Sequence, residues 1–309
     1  MDNLADRDGW IWQNGKLVPW REATVHVLTH TLHYGVGVFE GVRAYNTPQG
    51  PCIFRLDGHT HRLFNSAHIL SLKIPFSPEE ISAAQREVFR ANGLEEGYLR
   101  PMVHLGSEAM GLRAKDLSVN VVIAAWPWPN YMEPESREQG IRVRTSSYTR
   151  HHVNITMCKA KANGNYINSI LALHEALDAG CDEALMLDNE GYVAEGTGEN
   201  VFIVRDGVIH TPELTSCLDG ITRDTVLTLA RDAGFEVRER RITRDEVYIA
   251  DEAFFTGTAA EVLPIRELDG RRIGAGVRGP ITERLQSDYF DEVRGQRVSH
   301  PEWLTPVAD

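Results

Sequence analysis

Lysine is scarce in this chain: of 32 basic residues only five are lysine, at positions 16, 73, 115, 159 and 161. Cysteine is scarcer, with Cys52, Cys158, Cys181 and Cys217 scattered and no Cys-x-x-Cys spacing. That pattern argues against a disulfide framework and reads as the reduced thiols of a cytoplasmic protein. Long apolar runs are lacking too. The most apolar stretch, Val119 to Trp128, is broken by Asn120 and Pro127 and is far too short to span a bilayer. The first residues, Met-Asp-Asn-Leu-Ala-Asp-Arg-Asp, have no apolar core of a signal peptide. Positive charge is in deficit, with a net charge of −12 and no long basic run. A nucleic-acid or anionic-membrane surface is therefore not expected as a partner, although a local basic pocket for a small anion is still allowed.

Several familiar motifs are missing. There is no Gly-x-Ser-x-Gly elbow for Ser-His-Asp hydrolysis and no Gly-x-Gly-x-x-Gly after a strand for a dinucleotide. His26, His30 and His33 cluster, as do His59 and His61, but no His-Glu-x-x-His or Cys/His pattern frames them, so no metal site is expected.

What is present reads as α+β. With 309 residues and 42% hydrophobic content the chain can bury a substantial core, and its length favours two domains. Asn14-Gly15 between two short apolar runs predicts a hairpin over 11–18. Strands are expected at 36–45 and 51–56, and a helix at 57–72. Ser77-Pro-Glu-Glu predicts a capped helix running to about Asn92. Strands at 98–105 and 118–126 lead into a proline-rich stretch from Trp126, the expected linker. Beyond it come a strand at 141–149, a helix at 165–179, hairpins around 183–194, 200–211 and 268–273, and a helix from just after Gly220 to near Gly234. A strand is expected at 254–265 and a last helix at 280–293. Strands meet through hairpins more often than through helices, which predicts mixed or antiparallel sheets with flanking helices and not a doubly wound unit. The domains are placed at 1–127 and 138–309, joined by an interdomain loop at 128–137.

The candidate chemistry begins at Lys159-Ala-Lys161. Arginine cannot lose its proton and lysine can, so an arginine-preferring chain that keeps two lysines in a small, polar segment is a place for Schiff-base chemistry. If the amine holds pyridoxal phosphate, a carboxylate for the pyridine nitrogen, a phosphate cup and a substrate clamp are also required. Tyr192-Val-Ala-Glu-Gly-Thr-Gly-Glu-Asn200 offers two acids around glycines. Asp219-Gly-Ile-Thr-Arg-Asp224 puts a glycine at a helix start, where free N–H groups favour an anion. Thr256-Gly-Thr-Ala-Ala260 offers more backbone donors, and Arg55 in an apolar strand wants an anionic partner. Tyr98 and Arg100 share a strand face and suit a carboxylate, with aromatics around them for an apolar side chain. On the residues alone, the choice between the two lysines and between the two acids stays open.

These runs resemble the fold-type IV pyridoxal-phosphate enzymes of the class IV aminotransferases, and more closely the bacterial branched-chain amino acid aminotransferases. The resemblance rests on Tyr34-Gly, Val38-Phe-Glu-Gly-Val-Arg43, Phe54-Arg55, Tyr98-Leu-Arg-Pro101, Met110-Gly-Leu112, Lys161-Ala-Asn-Gly-Asn-Tyr166, Glu195-Gly-Thr-Gly-Glu-Asn200, Gly220-Ile-Thr-Arg-Asp224 and Gly257-Thr-Ala-Ala-Glu261, in the family's order over nearly the whole chain. It implies a two-domain enzyme with the cofactor between its domains and the Schiff-base lysine at Lys161, the residue five before Tyr166. Lys159 falls outside the motif. It implies Glu195 at the pyridine nitrogen and Tyr166 at the ring oxygen, and Arg55, Gly220, Ile221, Thr222, Gly257 and Thr258 about the phosphate. The substrate would meet Tyr98, Arg100, Thr258 and Ala259, in a pocket shaped by Tyr34, Phe39, Gly41, Met110, Trp128 and Tyr131. The implied reaction is ping-pong transfer of the amino group of leucine, isoleucine or valine to 2-oxoglutarate. A D-amino acid or R-selective amine transaminase of the same fold is the alternative. Self-association into dimers or a hexamer, with part of the pocket from a neighbouring subunit, is implied as well. Asp219 departs from the proline of some relatives and sets an acid near the expected phosphate, which is unfavourable unless it faces solvent or a cation.

Overall fold

The computed structural model describes residues 3–128 and 135–308. The chain divides into two compact units, the first comprising 1–129, 160–164 and 293–309, the second 130–159 and 165–292. The short segment 160–164 thus belongs to the first unit, although the sequence places it within the second domain. The last residues return there too, through the short strand Leu304–Pro306. Tyr131 lies outside the described residues.

Every pairing in the first unit's sheet is antiparallel. Its described strands follow the order Leu304–Pro306, Gly50–Phe54, Val42–Thr47, Gly97–Leu105, Val119–Trp126, Trp10–Gln13, Lys16–Pro19, with Gly37–Phe39 beside Gly97–Leu105. Helices Leu56–Ile69 and Pro78–Ala91 supply Leu63, Ile81, Val88 and Phe89 to its core. Ser77 caps the second helix in a capping box with Glu80, as its sequence requires. One expected strand divides: 36–45 becomes Gly37–Phe39 and Val42–Thr47, because Glu40 N–H donates to Pro101 O at 2.8 Å but proline has no N–H to return. Glu40 turns inward and is fully buried.

That burial is possible because Glu40 is neutralised. Arg62 Nε and Nη2 donate to its two oxygens at 2.6 and 2.8 Å, and His59 Nδ1 donates to Oε2 at 2.7 Å. Burial alone would raise the Glu40 carboxyl, but Arg62 and then His59 outweigh it and hold the group far below the carboxylate range. Burial also depresses His59, so its ring is neutral and its Nδ1 keeps the donated proton.

The second unit's sheet is mixed. Its described order is Val193–Glu195, Glu183–Leu187, Ile141–Thr145, Glu261–Leu268, Glu252–Gly257, Asn200–Arg205, Val208–Thr211, Val237–Glu239, with parallel pairs at Ile141–Thr145 on both sides and at the Val237–Glu239 edge. The expected single strand at 254–265 is two, Glu252–Gly257 and Glu261–Leu268, turning at 258–260. The reversal is closed by the Gly257–Glu261 pair, with Glu261 in a left-handed conformation (φ 59°). The helix Ile221–Asp232 begins just after Gly220, as expected.

Replacing Glu40 by alanine strands the Arg62 charge against an apolar core and is expected to cost roughly 3–5 kcal/mol in urea unfolding. The folded carboxyl is depressed, so its contribution is present above about pH 4.3 and fades as the pH falls further. A gap between parent and Glu40→Ala that stays constant down to pH 3 contradicts the assignment.

Candidate active site

The backbone of 160–164 is held throughout. Phe39 N–H donates to Lys161 O at 3.1 Å, Lys161 N–H donates to the buried Ser66 Oγ at 3.0 Å, and Gly164 N–H donates to Gly35 O at 3.2 Å. Val38 and Ala162 form an antiparallel bridge, and Ala160 and Ala162 join the first core. Lys161 therefore has a fixed origin, and its Nζ lies 5.2 Å from the centre of the Phe39 ring.

Around it the first unit assembles much of the expected aromatic and arginine set. The Arg100 guanidinium lies 4.8 Å from the Phe39 ring and 5.5 Å from the Tyr98 ring, so Tyr98 and Arg100 do share a face. Tyr98 is 5% exposed and packs edge-on to Trp128 at 4.5 Å, while Trp126 stacks on Trp128 at 5.8 Å. Arg43 donates to the Trp128 carbonyl at 3.1 Å, tying down the end of the strand. Gly41 leaves room for the Tyr98 hydroxyl: a Cβ there would sit 1.8 Å from it. Tyr34 and Met110 are different, being 40% and 44% exposed, with Tyr34 packed at a tilt against His30. Arg55 is not inside a strand as expected. It follows Gly50–Phe54 in a left-handed conformation (φ 53°) at the start of Leu56–Ile69, half-buried, with its guanidinium 5.0 Å from the Trp303 ring.

The second unit holds the remaining residues. Tyr166 opens the helix Tyr166–Asp178 and is half-buried. Glu195 is buried at the end of Val193–Glu195, where Arg150 Nε meets Oε1 at 2.6 Å and Leu218 N–H donates to Oε2 at 3.2 Å. Arg150, itself buried, is a residue that sequence reasoning misses, since nothing local in Ser-Tyr-Thr-Arg-His-His marks one arginine among many. The turn after Glu195 closes through Gly196 N–H to Glu199 O at 2.7 Å. Asn200 then donates through Nδ2 to Leu218 O at 3.0 Å, and its Oδ1 lies 1.8 Å from where a Gly220 Cβ would be. Asn200 pairs in register with Thr256, one residue before Gly257. The glycine turn, the start of Ile221–Asp232 and the 258–260 turn carrying Thr258 and Ala259 are thereby built onto one another.

This cluster suits an anion. The helix starting at Ile221 has no side-chain cap, so its first-turn N–H groups and dipole are not answered by its own N-cap residue. Thr222 is 3% exposed, and the hydroxyl of Thr256, 1% exposed, has no hydrogen-bond partner. Such a set of buried donors fits a phosphate. Asp219 does not oppose it freely, because Lys159 Nζ pairs with its Oδ1 at 2.5 Å. Lys159, outside the motif by sequence, is thus part of the structure next to Gly220. No group of His, Cys, Asp and Glu that could hold a metal occurs among the described residues, and none of their helices is long and apolar enough to cross a membrane.

A family model described as amino-transferase class IV matches residues 37–268. The chain belongs to the class IV aminotransferases. It is 67% identical over 305 residues, 99% of each chain, to a branched-chain-amino-acid aminotransferase of Pseudomonas aeruginosa. A branched-chain amino acid aminotransferase from T.th. solved with pyridoxamine 5'-phosphate superposes with a TM-score of 0.95 at 50% identity, covering 97% of this chain and 99% of that one. The same enzyme complexed with N-(5'-phosphopyridoxyl)-L-glutamate gives 0.93 at the same identity and coverage. The fold is that of the fold-type IV enzymes, as the motifs implied.

Replacing Arg150 by methionine removes the guanidinium that balances a buried carboxylate. The expected loss is roughly 3–5 kcal/mol of stability, read from the urea midpoint. A loss below about 1 kcal/mol, the scale of an exposed pair, would show that Glu195 is balanced by other means.

Proposed function

We propose that this chain transfers the amino group of L-leucine, L-isoleucine and L-valine to 2-oxoglutarate, giving branched-chain 2-oxo acids and L-glutamate, with pyridoxal 5'-phosphate as cofactor. The observation that carries the reading is Lys161, its backbone held by Phe39 and Ser66 and its amine 5.2 Å from the Phe39 ring, which Arg100 also contacts. The 67% identity to a branched-chain-amino-acid aminotransferase supports the same reaction.

When bound, the cofactor supplies an aldehyde that accepts amino groups and a ring that delocalises charge. Lys161 provides the amine that anchors it, and once displaced its Nζ takes the proton from the substrate α-carbon. Glu195, paired with Arg150 at 2.6 Å, would lie at the pyridine nitrogen and favour its protonated form. Tyr166 meets the ring oxygen. Arg55, the N–H groups of Ile221 and Thr222, Gly220, Gly257 and Thr258 hold the phosphate. Tyr98, with Thr258 and Ala259, receives the substrate carboxylate, and Arg100 the second carboxylate of glutamate. Phe39, Gly41, Tyr34, Met110, Trp128 and Tyr131 form the side-chain pocket, whose apolar rings suit a branched alkyl group.

The protein works in the cytoplasm, in keeping with four free thiols. It associates into dimers that complete each other's pockets. The exposed Val27, Leu32 and Tyr34 support that reading. The partners are small amino and 2-oxo acids.

A panel of L-leucine, D-alanine and a chiral amine against 2-oxoglutarate tests the specificity. Turnover of L-leucine alone is expected, and preference for D-alanine or the amine overturns it. Lys161→Ala is expected to abolish turnover. Gly41→Ala is expected to raise KM for L-leucine by about tenfold or more through displacement of the Tyr98 hydroxyl, with cofactor loading preserved.

A further inference from the structure

Lys159 has no free donor left for chemistry. Its Nζ donates to Leu214 O, to Cys217 O at 3.2 Å and to Asp219 Oδ1 at 2.5 Å. An ammonium has three N–H donors, so the set is filled. All three acceptors come from 214–219, the stretch that runs directly into Gly220 and the helix Ile221–Asp232. Further anchors of that stretch include Leu218 N–H to Glu195, Leu218 O from Asn200 Nδ2, and Thr215 N–H and Cys217 Sγ to Glu213 O.

We propose that Lys159 is a positioning residue for the cofactor phosphate: it locks 214–219 so that the first turn of Ile221–Asp232 is held in its anion-binding arrangement. The proposal rests on the reading that the phosphate is bound at that turn. Geometry explains why lysine and not arginine is used here in an arginine-rich chain. A compact ammonium with rotatable donors can converge on two carbonyls and a carboxylate, whereas a guanidinium fork is flat and fixed. Charge supplies a second reason. Asp219 stands one residue before Gly220, where its carboxylate would repel a phosphate, and Lys159 offsets it at 2.5 Å.

The two carbonyl bonds matter more than the ion pair. The Lys159 and Asp219 side chains are 39% and 57% exposed, and ion pairs so exposed contribute little. Loss of the lysine removes every bond, whereas Asp219→Asn keeps an oxygen acceptor and both carbonyl contacts. The variants Lys159→Met and Asp219→Asn should therefore differ.

The test uses the full chain stripped of cofactor and titrated with pyridoxal 5'-phosphate or with pyridoxal, which lacks the phosphate, binding being followed by absorbance. In Lys159→Met the Kd for pyridoxal 5'-phosphate is expected to rise about tenfold or more, with that for pyridoxal changed less than about twofold. Asp219→Asn, which keeps both carbonyl contacts and removes a negative charge beside the phosphate, is expected to show no loss. Lys159→Arg, which retains the charge but not the convergent geometry, should fall between the two. An unchanged Kd for pyridoxal 5'-phosphate in Lys159→Met overturns the proposal. So does an equal loss for both ligands, which would trace the effect to Lys161 or to general loosening. If the unaltered protein binds pyridoxal as tightly as pyridoxal 5'-phosphate, the phosphate reading itself fails and takes the lock with it.

Discussion

The structure depends on how five residues, 160–164, are held. Their backbone is secured to the first unit by Phe39, Ser66, Gly35 and the Val38–Ala162 bridge. Each bond is ordinary, worth about 1 kcal/mol net, but together they remove the freedom of a segment that would otherwise be a loop. A lysine side chain carries roughly 2 kcal/mol of rotamer entropy of its own, so a fixed Cα is the least costly way to aim its amine. The chain crosses between units just before and just after this segment. Lys159 and Lys161, two residues apart, consequently serve different neighbours.

Glu40 is the buried charge that this arrangement requires. At the strand break its side chain turns inward, while Phe39 and Gly41 on either side face Lys161 and Tyr98. A buried ion network seldom adds stability over an apolar replacement. Its retention here fits a role in orienting the strand break, with His59 and Arg62 on Leu56–Ile69 fixing the position of Glu40. In the second unit the buried Glu195–Arg150 pair does the corresponding work for the glycine turn, and Asn200 passes that order to Leu218 and Gly220.

Much of this is legible in the sequence wherever the cause is local. Ser77-Pro-Glu-Glu reads as a capped helix because its donors and acceptors lie within one turn. Asn14-Gly15 reads as a hairpin turn because both residues adopt positive φ. Lys161 and Glu195 are distinguished from their neighbours only through the family's motif order, and composition cannot make that choice. The breaks at 40–41 and 258–260 escape a sequence reading because strand-forming residues flank both, and where each ladder stops depends on partners distant in sequence. Arg150 and the loop-holding role of Lys159 depend on partners 45 and up to 60 residues away, a distance over which local pattern carries no signal.

The central claim is that these two lysines differ in kind, one an amine for chemistry and the other a structural cation. Borohydride reduction of the cofactor-loaded protein, followed by peptide mapping of the pyridoxyl group, tests it directly. The adduct is expected on Lys161 alone; an adduct on Lys159, or on neither lysine, contradicts the account.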